Sequence, residues 1–143
     1  MAGILANPIE RILEWAGRRA TRGIICHVRE SKRAGGEDDP AVVTTVVVEN
    51  PQGENAFVSS FEVEMLEPFR SPAAEYEYRS DPRTPIHNLA VNIPSHGMSD
   101  PVMVIAKFQA TLPYTSACRA RIAAVGRKGF RKRWAEFSCP APQ

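Results

Sequence analysis

Positions 42–49, VVTTVVVE, hold five valines and two threonines. Side chains branched at Cβ crowd a helical turn and sit well on a pleated surface, so this tract is committed to extended backbone. A second extended run, 56–66, follows across the turn residues Pro51, Gln52, Gly53, Glu54 and Asn55. There Phe57, Ser59, Phe61, Val63 and Met65 contrast in part with Val58, Ser60, Glu62, Glu64 and Leu66, which predicts one buried and one wetter face.

Shorter runs of the same texture predict strands at 24–29, 86–93 and 102–112. Pro68, Pro72, Pro82 and Pro85 break the middle of the chain and leave room for an edge strand at 75–79. Residues 118–125 and 130–137 flank Gly126, Arg127, Lys128 and Gly129 and read as a β-hairpin in which position 118 faces about 137. Exposed loops are expected at 30–40, which includes Gly35, Gly36, Glu37, Asp38 and Asp39, and at 94–101.

The N-terminus differs. Asn7 suits a helix cap, Pro8 the first helical position and Glu10 the third, while Ile9, Ile12, Leu13, Ala16 and Ala20 share one helical face. An amphipathic helix is predicted from about Pro8 to Ala16 or a turn or two beyond. About seven strands at intervals near ten residues, preceded by one helix, predict a mainly β fold. The expected form is an antiparallel β-sandwich in an immunoglobulin-like arrangement, and a small β-barrel is the alternative. The Cys…Trp…Cys signature of antibody domains is missing, since Trp15 precedes Cys26 and Trp134 stands far beyond it. With 143 residues the chain holds one domain. We divide it into an N-terminal helix and basic connector at 1–23, a sandwich at 24–137 and a flexible tail at 138–143.

The net charge of +2 is too mild to imply a nucleic-acid partner by itself, yet its distribution is uneven. Residues 41–106 carry three basic and nine acidic side chains, whereas 107–143 carry eight and one. Opposed potentials of this kind orient encounters unless the charges pair within the fold, and pairing within the fold is expected here. Cys26, Cys118 and Cys139 form an odd set with no CxxC pair, and no secretory segment opens the chain, so a reducing cytoplasm is expected. No apolar run approaches the length of a transmembrane helix.

Chemistry finds little support. Cys26 and His27 are adjacent, and neighbours on a strand face opposite sides, which reads as a buried cysteine beside a surface histidine. His87, His96 and Asp100 match no compact zinc spacing, so no metal, cofactor or catalytic residue is assigned. Glu62, Glu64 and Glu67, with Glu75, Glu77 and Asp81, read as a solvated sheet face rather than as an acid and base pair. No phosphate-binding, dinucleotide-binding or GxSxG motif occurs. Cys118 and Cys139 lie near the open end of the hairpin, where the geometry admits a disulfide, and are expected as an intracellular thiol pair.

The expected function is therefore a non-enzymatic interaction module, binding a protein partner or itself. Candidate binding residues are Ile9, Ile12 and Leu13 on the helix and Arg127, Lys128, Arg131, Lys132 and Arg133 on the hairpin. Those cations, with Arg119, Arg121, Phe130 and Trp134, also support a second reading, single-stranded nucleic-acid binding. Phe130 and Trp134 are expected in the core, which weighs against stacking on bases. A membrane-surface contact by the helix, with Arg18, Arg19 and Arg22 near anionic lipid, is a weaker third.

Overall fold

The computed structural model describes residues 23–126 and 132–141. They form ten strands: β1 (Ile25–Gly35), β2 (Pro40–Glu49), β3 (Ala56–Glu67), β4 (Ser71–Pro72), β5 (Glu75–Asp81), β6 (Thr84–Ile86), β7 (Val91–Ile93), β8 (Val102–Lys107), β9 (Cys118–Gly126) and β10 (Ala135–Cys139). Every pairing is antiparallel. The first sheet runs β1-β2-β8-β5-β6, and the second runs β10-β9-β3 with β4 and β7 both against β3. Neither sheet closes, so the barrel alternative is set aside. No helix occurs among the described residues, and the helix expected from Pro8 lies outside them.

One core fills the space between the sheets. Phe61, Val63 and Met65 of β3 and Ala120, Ile122 and Ala124 of β9 meet Val42, Val46 and Val48 of β2 and Val102, Val104 and Ala106 of β8. In the second sheet Phe61 is paired with Ala124 and Met65 with Ala120, so large side chains lie beside small ones and the layer stays level.

Among the described residues, four register slips interrupt the ladders, and two of them reset the side-chain alternation along most of β1 and β3. In β3 the register slips between Val58 and Ser60, which puts Val58 on the buried face along with Phe61 and leaves Ser59 exposed. The expected buried set of Phe57, Ser59, Phe61, Val63 and Met65 therefore holds only from Phe61 onward. In β1 the slip falls between Val28 and Glu30, after which Ser31 and Arg33 pair with Thr44 and Val42 of the core-facing row. The loop expected at 30–40 is thus mostly strand, because the backbone ladder to β2 continues under a polar sequence. Only residues 36–39 turn. Gly35 enters that turn at φ +72°, and a Cβ there would meet the Asp39 carbonyl oxygen at 2.3 Å.

Other boundaries move for similar reasons. The run expected at 86–93 divides between sheets, with β6 in the first and β7 in the second. The strand expected to reach residue 112 stops at Lys107, although Phe108 and Leu112 stay buried and their amides bond to Pro40 O and Glu37 O. Asn50, fully buried, donates from Nδ2 to Glu54 O, Ile93 O and Pro94 O and accepts from the Gln52 amide, fastening the turn at 51–55 from inside.

The outer edge of β3 is covered in three pieces. β7 pairs with residues 56–58 and β4 with Glu64 and Met65. Between them no strand runs. Instead Tyr78 Oη accepts from Phe61 N at 3.0 Å and donates to Phe61 O at 3.3 Å, and Tyr76 Oη does the same with Val63 at 2.9 and 3.4 Å. The two rings, two residues apart on β5, stack with planes 8° apart. Two phenols thus replace the backbone groups of a missing strand.

Removing the Tyr78 hydroxyl strips the half-buried Phe61 amide and carbonyl of these partners, while removing that of Tyr76 strips the Val63 amide and leaves the Val63 carbonyl bonded to Ala73 N at 2.9 Å. Tyr78→Phe should therefore lower stability by about 1–2 kcal/mol in denaturant titrations and Tyr76→Phe by less. Burial raises the pKa of both phenols above the ordinary 10.0. A raised folded pKa means their contribution is complete below pH about 10 and is lost as pH climbs through the folded value. The double Tyr→Phe variant should flatten this alkaline loss.

Candidate functional site

Two broad faces point away from the core. On the second sheet, β3 contributes Glu62, Glu64 and Glu67, β9 contributes Arg119 and Arg121, and β10 contributes Glu136, in a register that sets Glu64 beside Arg121 and Glu67 beside Arg119. Arg119 reaches Glu136 at 2.7 Å and Glu67 at 3.0 Å. Arg121 bonds Glu64 at 2.9 Å, and Arg70 approaches the same carboxylate at 3.5 Å. Lys132 pairs with Glu62. Glu62, Glu64 and Glu67 from the acidic middle of the chain thus meet Lys132, Arg121 and Arg119 from its basic end on one sheet.

Trp134 lies among these pairs, half-buried, with the Arg121 guanidinium 4.1 Å and the Lys132 ammonium 5.3 Å from its ring centroid. Its expected place in the core is corrected: β10 starts at Ala135, so Trp134 falls in the connection before the strand and covers cations instead. Beside it runs a shallow groove of about 470 Å³, lined by Glu62, Glu64, Pro72, Tyr76, Lys132 and Trp134 among others.

The first sheet is different. On its outer face Val43 pairs with Ile105 and Thr45 with Met103, and Val47 continues the row. None of these belongs to the core cluster, yet Val43 and Val47 are buried and Met103 and Ile105 half-buried. Polar groups border the stripe: Glu30 and Lys32 on β1, His27 bonded to Glu49 at 2.7 Å, and Glu77 bonded to Arg79 at 2.8 Å. A groove of about 410 Å³ follows it, between Glu30, Lys32, Val43, Thr45, Pro82 and Met103.

Of the binding residues expected from sequence, Ile9, Ile12, Leu13, Arg127, Lys128 and Arg131 lie outside the described residues, as does Phe130. Lys132 is engaged by Glu62, and Arg133 is half-buried. His27 and Cys26 face opposite sides of β1, and burial pushes the Cys26 thiol up to about 11, which leaves it protonated and inert. His87 and His96 are exposed, and among the described residues no group of three or more His, Cys, Asp or Glu is placed to hold a metal.

The residue that sequence reading missed is Arg33. It is nine-tenths buried on the core-facing row of β1, and its guanidinium donates to Leu112 O, Pro113 O and Ser116 O in the connection between β8 and β9, with Tyr114 packed 5.4 Å away. Only a strand continuing past the bulge turns this side chain inward, so an assignment of 30–40 to loop conceals it.

No family model matches the chain, and no curated protein matches it either. Among solved structures, a family 123 glycoside hydrolase from Clostridium perfringens, described for the details of glycolipid glycan hydrolysis, is similar over 82% of this chain with a TM-score of 0.43 and 8% identity. This chain spans 27% of that one. A likeness at this level carries no argument about activity.

The ladder predicts unequal costs. Arg121→Gln strips a mostly buried carboxylate of its closer partner and uncovers Trp134, and should cost about 1–2 kcal/mol by denaturant titration. Arg119→Gln, whose partners are well exposed, should leave the denaturation midpoint nearly unchanged.

Proposed function

We propose that this chain is a non-enzymatic interaction module, an assembly component that binds a protein partner or a second copy of itself through the outer face of the first sheet together with Ile9, Ile12 and Leu13. One observation carries the reading. Val43, Thr45, Val47, Met103 and Ile105 form a continuous stripe on the face turned away from the core, bordered by the hydrogen-bonded pairs His27–Glu49 and Arg79–Glu77. An apolar centre inside a polar rim is the usual anatomy of a protein interface. The immunoglobulin-like arrangement belongs to the same proposal: two antiparallel layers over one core each leave an outward face for a partner. A reducing cytoplasm is the compartment we infer, on three cysteines that are all free thiols.

Nucleic-acid binding through Arg127, Lys128, Arg131, Lys132 and Arg133 is the second reading, and it has less support. Lys132, Arg119 and Arg121 already face carboxylates, and two of them cover the ring of Trp134 that a base would need.

Molar mass by light scattering across a wide concentration range separates the two. Self-association that persists at high salt and is abolished by Ile105→Lys or Ile12→Asp, with an unchanged far-ultraviolet spectrum, is the expected result. A monomer at every concentration would confine the proposal to a different protein partner. Oligonucleotide affinity that falls steeply with salt and disappears when Arg131, Lys132 and Arg133 become glutamine would replace it with the second reading.

A further inference from the structure

Cys118 opens β9 and Cys139 closes β10, and the two are direct cross-strand partners. Directly opposed residues in an antiparallel pair have Cα atoms about 4.5 or 5.5 Å apart, both inside the span of about 4.4–6.8 Å that a disulfide bridges. Both side chains are buried, and their thiols hydrogen-bond to each other. Register, burial and contact all place this pair in bonding range without moving the sheet.

The surroundings favour thiol chemistry at one sulfur. The hydrogen bond from Cys139 holds the Cys118 pKa below the ordinary thiol value against the effect of burial, with the Arg33 charge adding to it. Arg33 Nε is buried with no partner of its own. Cys139 is raised, first by that same hydrogen bond and then by burial. Cys118 therefore ionises first, while Cys139 keeps its proton. Ser31, on the same β1 row as Arg33, donates to Ser138 O at 2.7 Å and ties the end of β10 to the other sheet.

We propose that Cys118 and Cys139 form a redox site in which hydrogen peroxide converts the dithiol to a disulfide that latches β10 onto β9. The Cys118 thiolate attacks one peroxide oxygen, the O–O bond breaks, and the departing hydroxide takes a proton to become water, leaving a sulfenic acid. The Cys139 sulfur then attacks Cys118 Sγ, the S–S bond forms, the S–O bond breaks, and the oxygen leaves as a second water with the Cys139 proton. Two thiols lose one electron each and one peroxide gains two. Access comes from β10 itself, a five-residue strand at the edge of its sheet that opens locally at less cost than the whole domain. Cys26, facing the core beside Val48 with a protonated thiol, serves as the internal control.

The test treats the full-length chain with hydrogen peroxide, then unfolds it in iodoacetamide and maps the peptides by mass. The expected product joins the Cys118 and Cys139 peptides, is about two mass units lighter than the reduced pair, and leaves Cys26 alkylated. Its thermal midpoint should rise by roughly 5 °C, reversibly with dithiothreitol. Cys139→Ser should abolish both the link and the rise, and should let dimedone trap a sulfenic acid at Cys118. Three results would overturn the proposal: Cys118 and Cys139 alkylated separately after peroxide, a link from either one to Cys26 or to a second chain, or further oxidation of Cys118 with Cys139 still free.

Discussion

Wherever a strand stops short, the amides and carbonyls it leaves behind still require partners, and meeting that requirement shapes this molecule more than any single apolar contact. Along β3 the requirement is met by β7, two tyrosine hydroxyls and β4 in succession. At the turn after β2 it is met by Asn50, and in the connection between β8 and β9 by the guanidinium of Arg33. The valine-rich interior supplies the drive to collapse. These side chains decide which of many collapsed sheets is the native one, because a displaced register would strand polar backbone groups in an apolar layer.

The same logic governs charge. A chain polarised between its middle and its end folds so that the acidic strand β3 and the basic strand β9 become neighbours, and the field each would project is largely cancelled at close range. Trp134 adds a polarisable surface under two of the cations. Among the described residues, the apolar stripe of the first sheet is then a distinctive outward feature.

Much of this was legible in the sequence. The five valines of β2, the turn at 51–55, β3 and the pairing of the last two strands follow from β-branching, glycine and proline alone. Errors arose where a rule of period two met a bulge. Past Arg29 and Ser59 the inward and outward rows exchange, which hid Arg33 among apparent loop residues and misassigned Phe57 and Ser59. A four-residue connection sets position 118 opposite 137, whereas the strands pair it with 139, a shift of two that keeps every face unchanged. The tyrosine pair was invisible for another reason. Its partners lie on the opposite sheet, and no local pattern encodes which edge another layer will present.

The extra residue at Arg29 makes β1 a frame-sensitive message. Ahead of it the even positions face inward and behind it the odd ones, so losing Arg29 would let Glu30 follow Val28 opposite Thr45 with Ser31 and Arg33 still inward, whereas gaining one residue there would present Lys32 to the interior and turn the Arg33 clamp out to water. Descendants of this chain should therefore lose one residue at the bulge without exchanging faces, while residues gained in that stretch should survive in twos.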